Sequence, residues 1–215
     1  MNHTASTKSP SLPEHPALLV LVSGIMGAGK GTVTEALLQS FGRLNVGRAI
    51  SATTRHKRPG EREGERYIFL TKEEFLRREA DGGFLEVNPA FANGERYGTL
   101  ASVVVEKLSM FDILFHELNV GGMRALRALY RKERKEKYLF TVFVKPNEPW
   151  RETVLARIGE DTQNPRDGIK ARLKEAEEEL AAAGEYDLVV ENKDGALKEA
   201  VHAIVEVIER RRAQL

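Results

Sequence analysis

A glycine-rich turn that ends in a lysine gives this chain its clearest means of binding a phosphate. It reads GIMGAGKGT over residues 24–32 and follows five adjacent apolar residues, 18–22, which predict a strand buried on both faces. Glycines let backbone N–H groups converge on a phosphate, and the next helix would point its positive end at the same place. The stretch predicts a loop that binds a nucleoside triphosphate through Gly24, Gly27, Ala28, Gly29, Lys30, Gly31 and Thr32.

A second group with phosphate chemistry lies in the strongly polar stretch SATTRHKRPGEREGER, residues 51–66. Arg55 and Arg58 are three residues apart and precede a Pro-Gly turn, so their guanidinium groups could grip one phosphate with fork geometry. Tyr67 adds a hydroxyl donor. Alone, such a cluster is more often a solvated basic loop. After a phosphate loop it favours a second phosphate site, because phosphoryl transfer depends mainly on positioning and charge neutralisation.

These two segments together resemble the guanylate kinases, which transfer the γ-phosphoryl group of ATP to GMP. The specific part is the pattern S-x-T-T-R-x-x-R-P-G-E-x-x-G-x-x-Y over residues 51–67, and the resemblance extends over residues 18–211. Gly31, with Thr32 one position later than in the general phosphate loop, resembles the nucleoside monophosphate kinase form. The resemblance implies a P-loop three-layer α/β fold with a parallel central sheet, an inserted mixed α+β lobe and a short lid.

The resemblance also assigns residues to the acceptor nucleotide. Phe-Leu-Glu at 84–86 resembles the family segment whose glutamate accepts hydrogen bonds from guanine, and a carboxylate suits the paired N1–H and N2–H donors. Tyr-Gly-Thr at 97–99 resembles the segment whose tyrosine contacts the phosphate and whose hydroxyl contacts the base. The implied GMP site consists of Ser51, Arg55, Arg58, Tyr67, Glu86, Tyr97, Thr99 and Asn119.

One position of that site departs from the family pattern. Family members carry an acidic-x-Asp pair where this chain has Glu117-Leu118-Asn119. An amide offers a single acceptor oxygen and adds two donors, so we expect Asn119 to weaken or alter the selection of the base without affecting the phosphate chemistry.

The resemblance extends to the lid and to the ATP base. It places Arg157 and Arg172 with Lys30 around the transferring phosphoryl group, and Asn192 near the ATP base. Asp161 falls where a second lid arginine is usual, and such arginines can be worth orders of magnitude in rate. We expect Arg166, in the same loop, to take over that role.

Magnesium bound with ATP is the only metal that the sequence implies. The resemblance gives Thr32 as its protein ligand and Glu117 as a residue that acts on it through water. The histidines at 56, 116 and 202 have no ligand spacing, and the chain has no cysteine, which excludes disulfides and thiolate metal sites.

Composition limits the remaining classes of function. The chain has 215 residues with 33 basic and 32 acidic side chains, and its net charge of +1 favours neither nucleic acid nor a membrane as a partner. No apolar run approaches the roughly 20 residues of a membrane span, and no signal-peptide core is present. We expect a cytoplasmic protein that binds ATP and GMP.

The alternation of apolar strands with amphipathic helices predicts a doubly wound α/β sheet. Strands are predicted at 18–22, 46–50, 67–70, 84–87, 95–98, 112–118, 139–144 and 187–190. Helices are predicted at 30–41, 71–80, 101–109, 120–130, 148–158, 169–183 and 196–211. We expect a disordered tail over 1–16, a core of 17–50 and 100–215 with a lid at 159–168, and an inserted GMP-binding lobe over 51–99.

Two other functions fit parts of this pattern. A kinase of another nucleoside monophosphate, or of a phosphorylated sugar, would share the phosphate-binding loop. Asn119 is compatible with another nucleoside monophosphate as the acceptor. A catalytically silent module, like the guanylate-kinase-like domains of scaffolding proteins, would have lost the working loop. Lys30 and Thr32 argue against it, and Asp161 is the one feature in its favour.

Overall fold

The computed structural model describes residues 11–88, 94–159 and 169–215, apart from the side chains of residues 158, 159 and 170–172. Its strands are β1 (Leu18–Gly24), β2 (Val46–Ala49), β3 (Ser51–Thr53), β4 (Tyr67–Phe69), β5 (Phe84–Val87), β6 (Tyr97–Leu100), β7 (Ile113–Glu117), β8 (Leu139–Pro146) and β9 (Leu188–Asn192). Its α-helices are α1 (Lys30–Leu38), α2 (Lys72–Ala80), α3 (Ala101–Met110), α4 (Val120–Lys132), α5 (Trp150–Gly159), α6 (Ile169–Ala181) and α7 (Leu197–Arg212).

A five-stranded sheet in the order β2-β7-β1-β8-β9 forms the centre of the fold, and all its pairings are parallel, as predicted. Every residue of β1 is buried, in keeping with an apolar strand covered on both faces. Val22 of β1 pairs with Glu117, and Gly24 pairs with Val144 of β8. The strands therefore end together at the carboxyl edge, where open α/β sheets bind their ligands.

A second sheet in the order β4-β3-β6-β5 is built from the segment between β2 and α3. Its strand β3 was not predicted, because it lies in the strongly polar stretch of residues 51–66. Ser51, Ala52 and Thr53 are buried, because their small side chains fit between two strands and because Thr53 donates a hydrogen bond to the Arg96 carbonyl at 3.0 Å. Arg55 is buried as well.

Several predicted boundaries differ from the observed ones. The helix predicted over 30–41 ends at Leu38, and the strand predicted over 95–98 lies two residues later, where it pairs with β3 and β5. The tail predicted over 1–16 reaches too far. Leu12 is only 5% exposed, and its backbone is hydrogen bonded to Glu133 and Lys135. Residues 1–10 lie outside the described part of the chain.

Helix α2 begins as its sequence predicts. The Thr71 side chain accepts a hydrogen bond from the Glu74 backbone N–H at 3.1 Å, while the Glu74 carboxylate pairs with Arg77 and Arg78 instead of closing the capping box. The helix packs Phe75 against Phe84 of β5, with ring centroids 4.5 Å apart. Across all seven described helices, none is long and apolar enough to span a bilayer.

Tyr130 of α4 provides a test of the core. Its side chain is fully buried, and within the described residues its hydroxyl has no hydrogen-bond partner. A buried hydroxyl without a partner keeps its desolvation cost, so we expect Tyr130→Phe to raise the free energy of unfolding by about 1 kcal/mol. That corresponds to a gain in Tm of about 2–4 °C for a protein of this size.

Thermal and urea unfolding would measure this change. Tyr138→Phe is the matched control, because the Tyr138 hydroxyl lies 3.4 Å from Nδ1 of His15 and should give no gain when removed. A lower Tm for Tyr130→Phe than for the wild type would contradict the prediction.

Candidate active site

The glycine-rich loop joins β1 to α1, and two of its glycines are required by the backbone. Gly24 has a φ of +148°, and a Cβ there would lie 2.0 Å from the Val144 carbonyl oxygen. Gly29 has a φ of +81° and precedes α1 directly, and a Cβ there would lie 2.4 Å from Nδ2 of Asn192. The loop can therefore pack closely on the ends of β8 and β9 only with glycine at these positions.

Lys30 lies inside this loop. Its Nζ donates hydrogen bonds to the carbonyl oxygens of Gly24 at 2.5 Å and Ile25 at 3.0 Å. Burial lowers the pKa of Lys30, while the charges of Glu179 and Glu117 act in the opposite direction. The ammonium group is thus held at the loop by backbone carbonyls, beside the first turn of a helix whose dipole also favours anions.

Arg157 and Asn192 contact the outer side of the same loop. Asn192 Nδ2 donates to the Ala28 carbonyl at 2.9 Å, and Arg157 donates to the carbonyl oxygens of Gly27 and Asn192, each at 2.9 Å. Arg157 also pairs with Asp194 at 2.6 Å. Both residues hold loop backbone in this structure, and their roles towards the phosphoryl group and the ATP base stay predictions.

The predicted phosphate-binding arginines of the polar stretch are organised by Glu61. Nη1 and Nη2 of Arg55 donate to the two carboxylate oxygens of Glu61 at 2.9 and 2.8 Å, and the Arg58 backbone N–H donates to the same carboxylate at 2.8 Å. This pairing raises the pKa of Arg55 and lowers that of Glu61. Glu61 was not predicted as a site residue, although its position in the motif R-x-x-R-P-G-E could have indicated that it belongs to the site.

Two tyrosines lie beside Arg55. The rings of Tyr67 and Tyr97 meet edge to face with centroids 5.9 Å apart, and the Arg55 guanidinium carbon lies 5.3 Å from the centre of the Tyr67 ring. Burial raises the pKa of both tyrosine hydroxyls. They stay protonated at neutral pH, and protonated hydroxyls can donate hydrogen bonds to an anion.

The predicted base-reading residues lie deeper, at the junction of the two sheets. Thr99 Oγ1 lies 2.6 Å from Oε1 of Glu86 and 2.8 Å from Nε2 of His116. The other carboxylate oxygen, Oε2, is buried without a partner among the described residues. Burial raises the pKa of Glu86 and lowers that of His116 to about 4. His116 was not predicted as part of the base site, because the sequence was searched for histidines only as metal ligands.

Asn119 and Glu117 follow the end of β7. The Asn119 side chain caps α4 by accepting a hydrogen bond from the Gly122 backbone N–H at 2.9 Å. Its amide oxygen is therefore already engaged in the unliganded protein. The nearest cation to Glu117 is Arg48, whose Nη2 lies 3.5 Å away. These contacts position both side chains at the carboxyl edge of the central sheet.

A cleft of 260 Å³ brings the predicted halves of the site together. Gly24 and Lys30 line it from the loop, and Ser51, Tyr67 and Tyr97 line it from the second sheet. The remaining lining residues are Asn88, Glu117, Leu118, Asn119 and Glu179. Glu86 and Thr99 do not line this cleft, but Glu86 lies next to Gly122 at the start of α4.

Glu179 of α6 and Asn88 are lining residues that the sequence analysis did not select. Burial raises the pKa of Glu179 to about 7, against the opposing charge of Lys30. Glu179 lies in a run of charged residues that is typical of a solvated helix face. Its residue type and spacing therefore did not indicate a position in the cleft. Asn88 follows β5 directly, and its side chain is 6% exposed.

Other predicted residues cannot be placed. Asp161, Arg166 and the lid at 160–168 lie outside the described residues. Arg172 belongs to α6, but its side chain is not among those described. In the ranges 11–88, 94–159 and 169–215, no cluster of three or more His, Asp or Glu side chains could hold a metal ion by itself.

Comparison with known proteins gives a consistent result. The family model described as guanylate kinase matches residues 17–211. Guanylate kinase from Rubrobacter xylanophilus is 36% identical over 192 residues, which cover 89% of this chain and 93% of that protein. The enzyme from Chlorobaculum tepidum is 35% identical over 82% of this chain and 85% of its own length. The crystal structure of guanylate kinase from Anaplasma phagocytophilum has the same fold, with a TM-score of 0.68 and 23% identity over 93% of this chain and 88% of its own.

The contact between Gly24 and Val144 generates a prediction for the loop. Gly24→Ala would force its Cβ into the carbonyl oxygen of β8, and backbone cannot move aside as a flexible side chain can. We expect a loss of about 1–3 kcal/mol in unfolding free energy and a weaker affinity for ATP. Thermal unfolding and titration with an ATP analogue would measure both.

Gly184→Ala is the matched control, because nothing lies within 4 Å of a Cβ at that position. Its unfolding free energy should stay within about 0.5 kcal/mol of the wild type. Unchanged stability and unchanged ATP affinity in Gly24→Ala would refute the steric argument.

Proposed function

The chain belongs to the guanylate kinase family, and we propose that its cleft holds ATP on the loop of residues 24–32 and GMP against the second sheet. The reaction is transfer of the γ-phosphoryl group of ATP to GMP, which gives ADP and GDP. The observation that carries the proposal is the cleft itself. Lys30 lines it from the loop proposed for the donor phosphates, and Tyr67 and Tyr97 line it from the second sheet, beside the arginine proposed for the acceptor phosphate.

On the donor side, the phosphates of ATP lie over backbone N–H groups of the loop and the first turn of α1. Lys30 exchanges its bonds to the Gly24 and Ile25 carbonyls for bonds to the outer phosphates. Its position is already fixed by those carbonyls, so little ordering is required when the substrate binds. Arg157 and Arg172 complete the neutralisation of the transferring group, with Asn192 supporting the loop and the ATP base.

On the acceptor side, the GMP phosphate binds Arg55, Arg58, Tyr67 and Tyr97. Bonds to Glu61 and to the His56 carbonyl use three of the five N–H donors of Arg55, and the guanidinium also bonds to the Tyr97 hydroxyl, so Tyr97 and the phosphate share the remaining two donors. The charge-assisted bonds to Glu61 hold the guanidinium plane in one orientation. The phosphate therefore meets a fixed donor set, as phosphoryl transfer requires.

The guanine base extends towards Glu86 and Thr99, with Ser51 and Asn119 beside it. The unpartnered Oε2 of Glu86 supports this assignment, since a buried acceptor without a donor is costly unless a ligand supplies one. Guanine presents N1–H and N2–H on one edge and so provides paired donors. Adenine lacks that pair.

Magnesium is the implied cofactor, and the oxygen donors of the cleft fit it. Thr32 at the start of α1 would contribute its hydroxyl, and Glu117 would act through a bound water. Such a small number of protein groups suits an ion that keeps most of its bound waters and otherwise binds to the phosphates of the substrate. When bound, Mg²⁺ neutralises charge on the ATP phosphates.

The chain's own residues act by positioning and by charge. The acceptor phosphate is already anionic at neutral pH, so no general base is needed. Lys30 and the arginines stabilise the charge that builds up on the transferring group, and the loop backbone keeps the donor in line with the acceptor. The cytoplasmic location and the absence of nucleic-acid or membrane partners stay predictions.

A coupled assay that detects ADP, with ATP, Mg²⁺ and a panel of GMP, dGMP, IMP and AMP, tests the proposed function. We expect the highest kcat/KM with GMP. Asn119→Asp should improve the preference for GMP, because a carboxylate can cap α4 as Asn119 does and still offer a second acceptor oxygen to the base.

Three outcomes would count against these assignments. No turnover of any monophosphate would favour the silent module, and a stronger activity with AMP would place another nucleotide in the acceptor site. An undiminished preference for GMP in the wild type that Asn119→Asp does not improve would remove Asn119 from the base site.

The fork between Arg55 and Glu61 predicts a specific defect in GMP binding. Arg55→Lys keeps the charge but cannot make the paired bonds that fix its orientation. We expect KM for GMP to rise about 10–100-fold, the equivalent of one charge-assisted hydrogen bond, with KM for ATP nearly unchanged. Steady-state kinetics with each substrate varied would measure both constants.

Arg62→Lys serves as the matched control in the same loop, because Arg62 is exposed and, in the described part of the chain, its guanidinium pairs only with Glu65, at 3.5 Å. Its KM for GMP should equal that of the wild type. A KM for GMP in Arg55→Lys equal to that of the wild type would mean that the charge at this position, not the fork, binds the phosphate. Equal increases in Arg55→Lys and Arg62→Lys would mean that the effect is not specific to the fork.

A further inference from the structure

Three buried polar groups form a chain of hydrogen bonds behind the proposed base site. It runs from Oε1 of Glu86 to Thr99 Oγ1 at 2.6 Å, on to Nε2 of His116 at 2.8 Å, and from Nδ1 of His116 to the Ala49 carbonyl oxygen at 3.1 Å. The residues are 6%, 0% and 1% exposed in that order. These side chains are shielded from water, so water cannot supply a missing hydrogen. Each short contact therefore needs a hydrogen of its own.

The hydrogens of this chain are counted from its far end. The Ala49 carbonyl can only accept, so Nδ1 of His116 carries a hydrogen, and burial, which lowers the pKa of His116 to about 4, keeps the imidazole neutral with a lone pair on Nε2. The single hydroxyl hydrogen of Thr99 points to that lone pair. The 2.6 Å contact between Thr99 and Glu86 is left without a hydrogen from Thr99, and Glu86 must supply it.

We propose, on the premise of the function proposed above, that Glu86 carries a proton on Oε1 in the unliganded protein, and that His116 is a positioning residue which couples guanine recognition to loss of that proton. His116 does not touch the substrate. It acts by accepting the Thr99 hydrogen, which would otherwise be donated to the Glu86 carboxylate.

The step that accompanies base binding balances in atoms and charge. The O–H bond at Oε1 of Glu86 breaks, and the proton passes to solvent water. The Thr99 hydroxyl turns from Nε2 of His116 to Oε1, which leaves Oε2 and one lone pair of Oε1 for the base. Guanine then donates N1–H and N2–H to a carboxylate that has two acceptor atoms.

The surroundings of Glu86 supply no strong counter-charge. In the described part of the chain no cation pairs with it, and burial raises its pKa against the hydrogen bonds from the Thr99 side chain and backbone, which lower it. From β6 it faces Thr99, from β7 His116, and from α4 the backbone at Gly122. Helix α2 presents Phe75 to β5. On α3, Lys107 donates to the Arg48 carbonyl, and its charge lowers the pKa of His116.

The sign of the pH dependence follows. Below the pKa of Glu86 the unliganded protein holds the extra proton, so GMP binds more weakly as pH falls. His116→Leu removes the acceptor of the Thr99 hydrogen, which lets Thr99 donate to the Glu86 carboxylate and stabilise its ionised form. The variant should therefore bind GMP more tightly than the wild type at acidic pH, the opposite of what a packing defect would produce.

The test is KM for GMP from pH 5.5 to 8.5 in the wild type and His116→Leu. We expect the ratio of wild-type to variant KM to approach one at pH 8.5 and to rise as pH falls, by up to about tenfold for each pH unit below the pKa of Glu86 in the wild type, since the ionised fraction falls in that proportion. The ionisation of the GMP phosphate is common to both proteins and cancels in the ratio.

Controls separate this effect from others. His116→Gln, whose amide can donate to Thr99, should shift the profile in the same direction and replaces the leucine variant if that protein does not fold. His202→Leu, at an exposed histidine of α7, should keep the wild-type profile, and KM for ATP should be unchanged in every variant. Calorimetry of GMP binding in buffers of different ionisation enthalpy should show more proton release from the wild type than from His116→Leu.

The two possible failures are distinguishable. Superimposable pH profiles in an active wild type and in the His116 variants would overturn the inference and leave the proposed function intact. A higher KM for GMP in His116→Leu at all pH values would also overturn it, since His116 would then act only in packing. A wild type that does not phosphorylate GMP at pH 8.5 would count against the proposed function instead.

Discussion

The parallel pairing of β1 with both β7 and β8 is the constraint on which the rest of the structure depends. It places the carboxyl ends of three buried strands at one edge, and the loop can begin there only because Gly24 has no Cβ that would meet the Val144 carbonyl. The same register places Glu117 beside that loop. The donor site is therefore a product of sheet geometry, and the loop residues take positions that the strands have set.

Three cationic groups in and around the unliganded cleft already have acceptors from the protein. Lys30 is bonded to loop carbonyls, Arg55 to Glu61, and Arg157 to Asp194 and loop backbone. These bonds orient the cations and lower the cost of burying them. They also mean that a substrate phosphate competes with existing partners, so binding energy comes from the difference between two sets of charge-assisted bonds rather than from unpaired charges.

Features with a strong periodic signal could be predicted from the sequence. The continuous apolar run of β1 and the helical spacing of α7 gave correct elements, because burial of whole faces decides such segments. Strand β3 was missed since its small polar residues are buried through backbone pairing and hydrogen bonds, which leave no apolar pattern. Leu12 was missed because one isolated apolar residue has no period. Glu61 acts through Arg55, and such indirect roles depend on contacts between side chains that spacing does not encode.

Asn119 departs from the family pattern in a way that changes the acceptor oxygens near the proposed base site but leaves the fold unchanged. An asparagine caps α4 as well as an aspartate would, so the helix keeps its start. The family pattern places two carboxylates near guanine, whereas this chain retains Glu86 alone. A single carboxylate has to supply both acceptors, and its neutral form cannot, because its hydrogen occupies one oxygen. With Glu86 as the proposed base-binding group, recognition of guanine therefore depends on the protonation of one buried group, more strongly than it would at a site with two carboxylates.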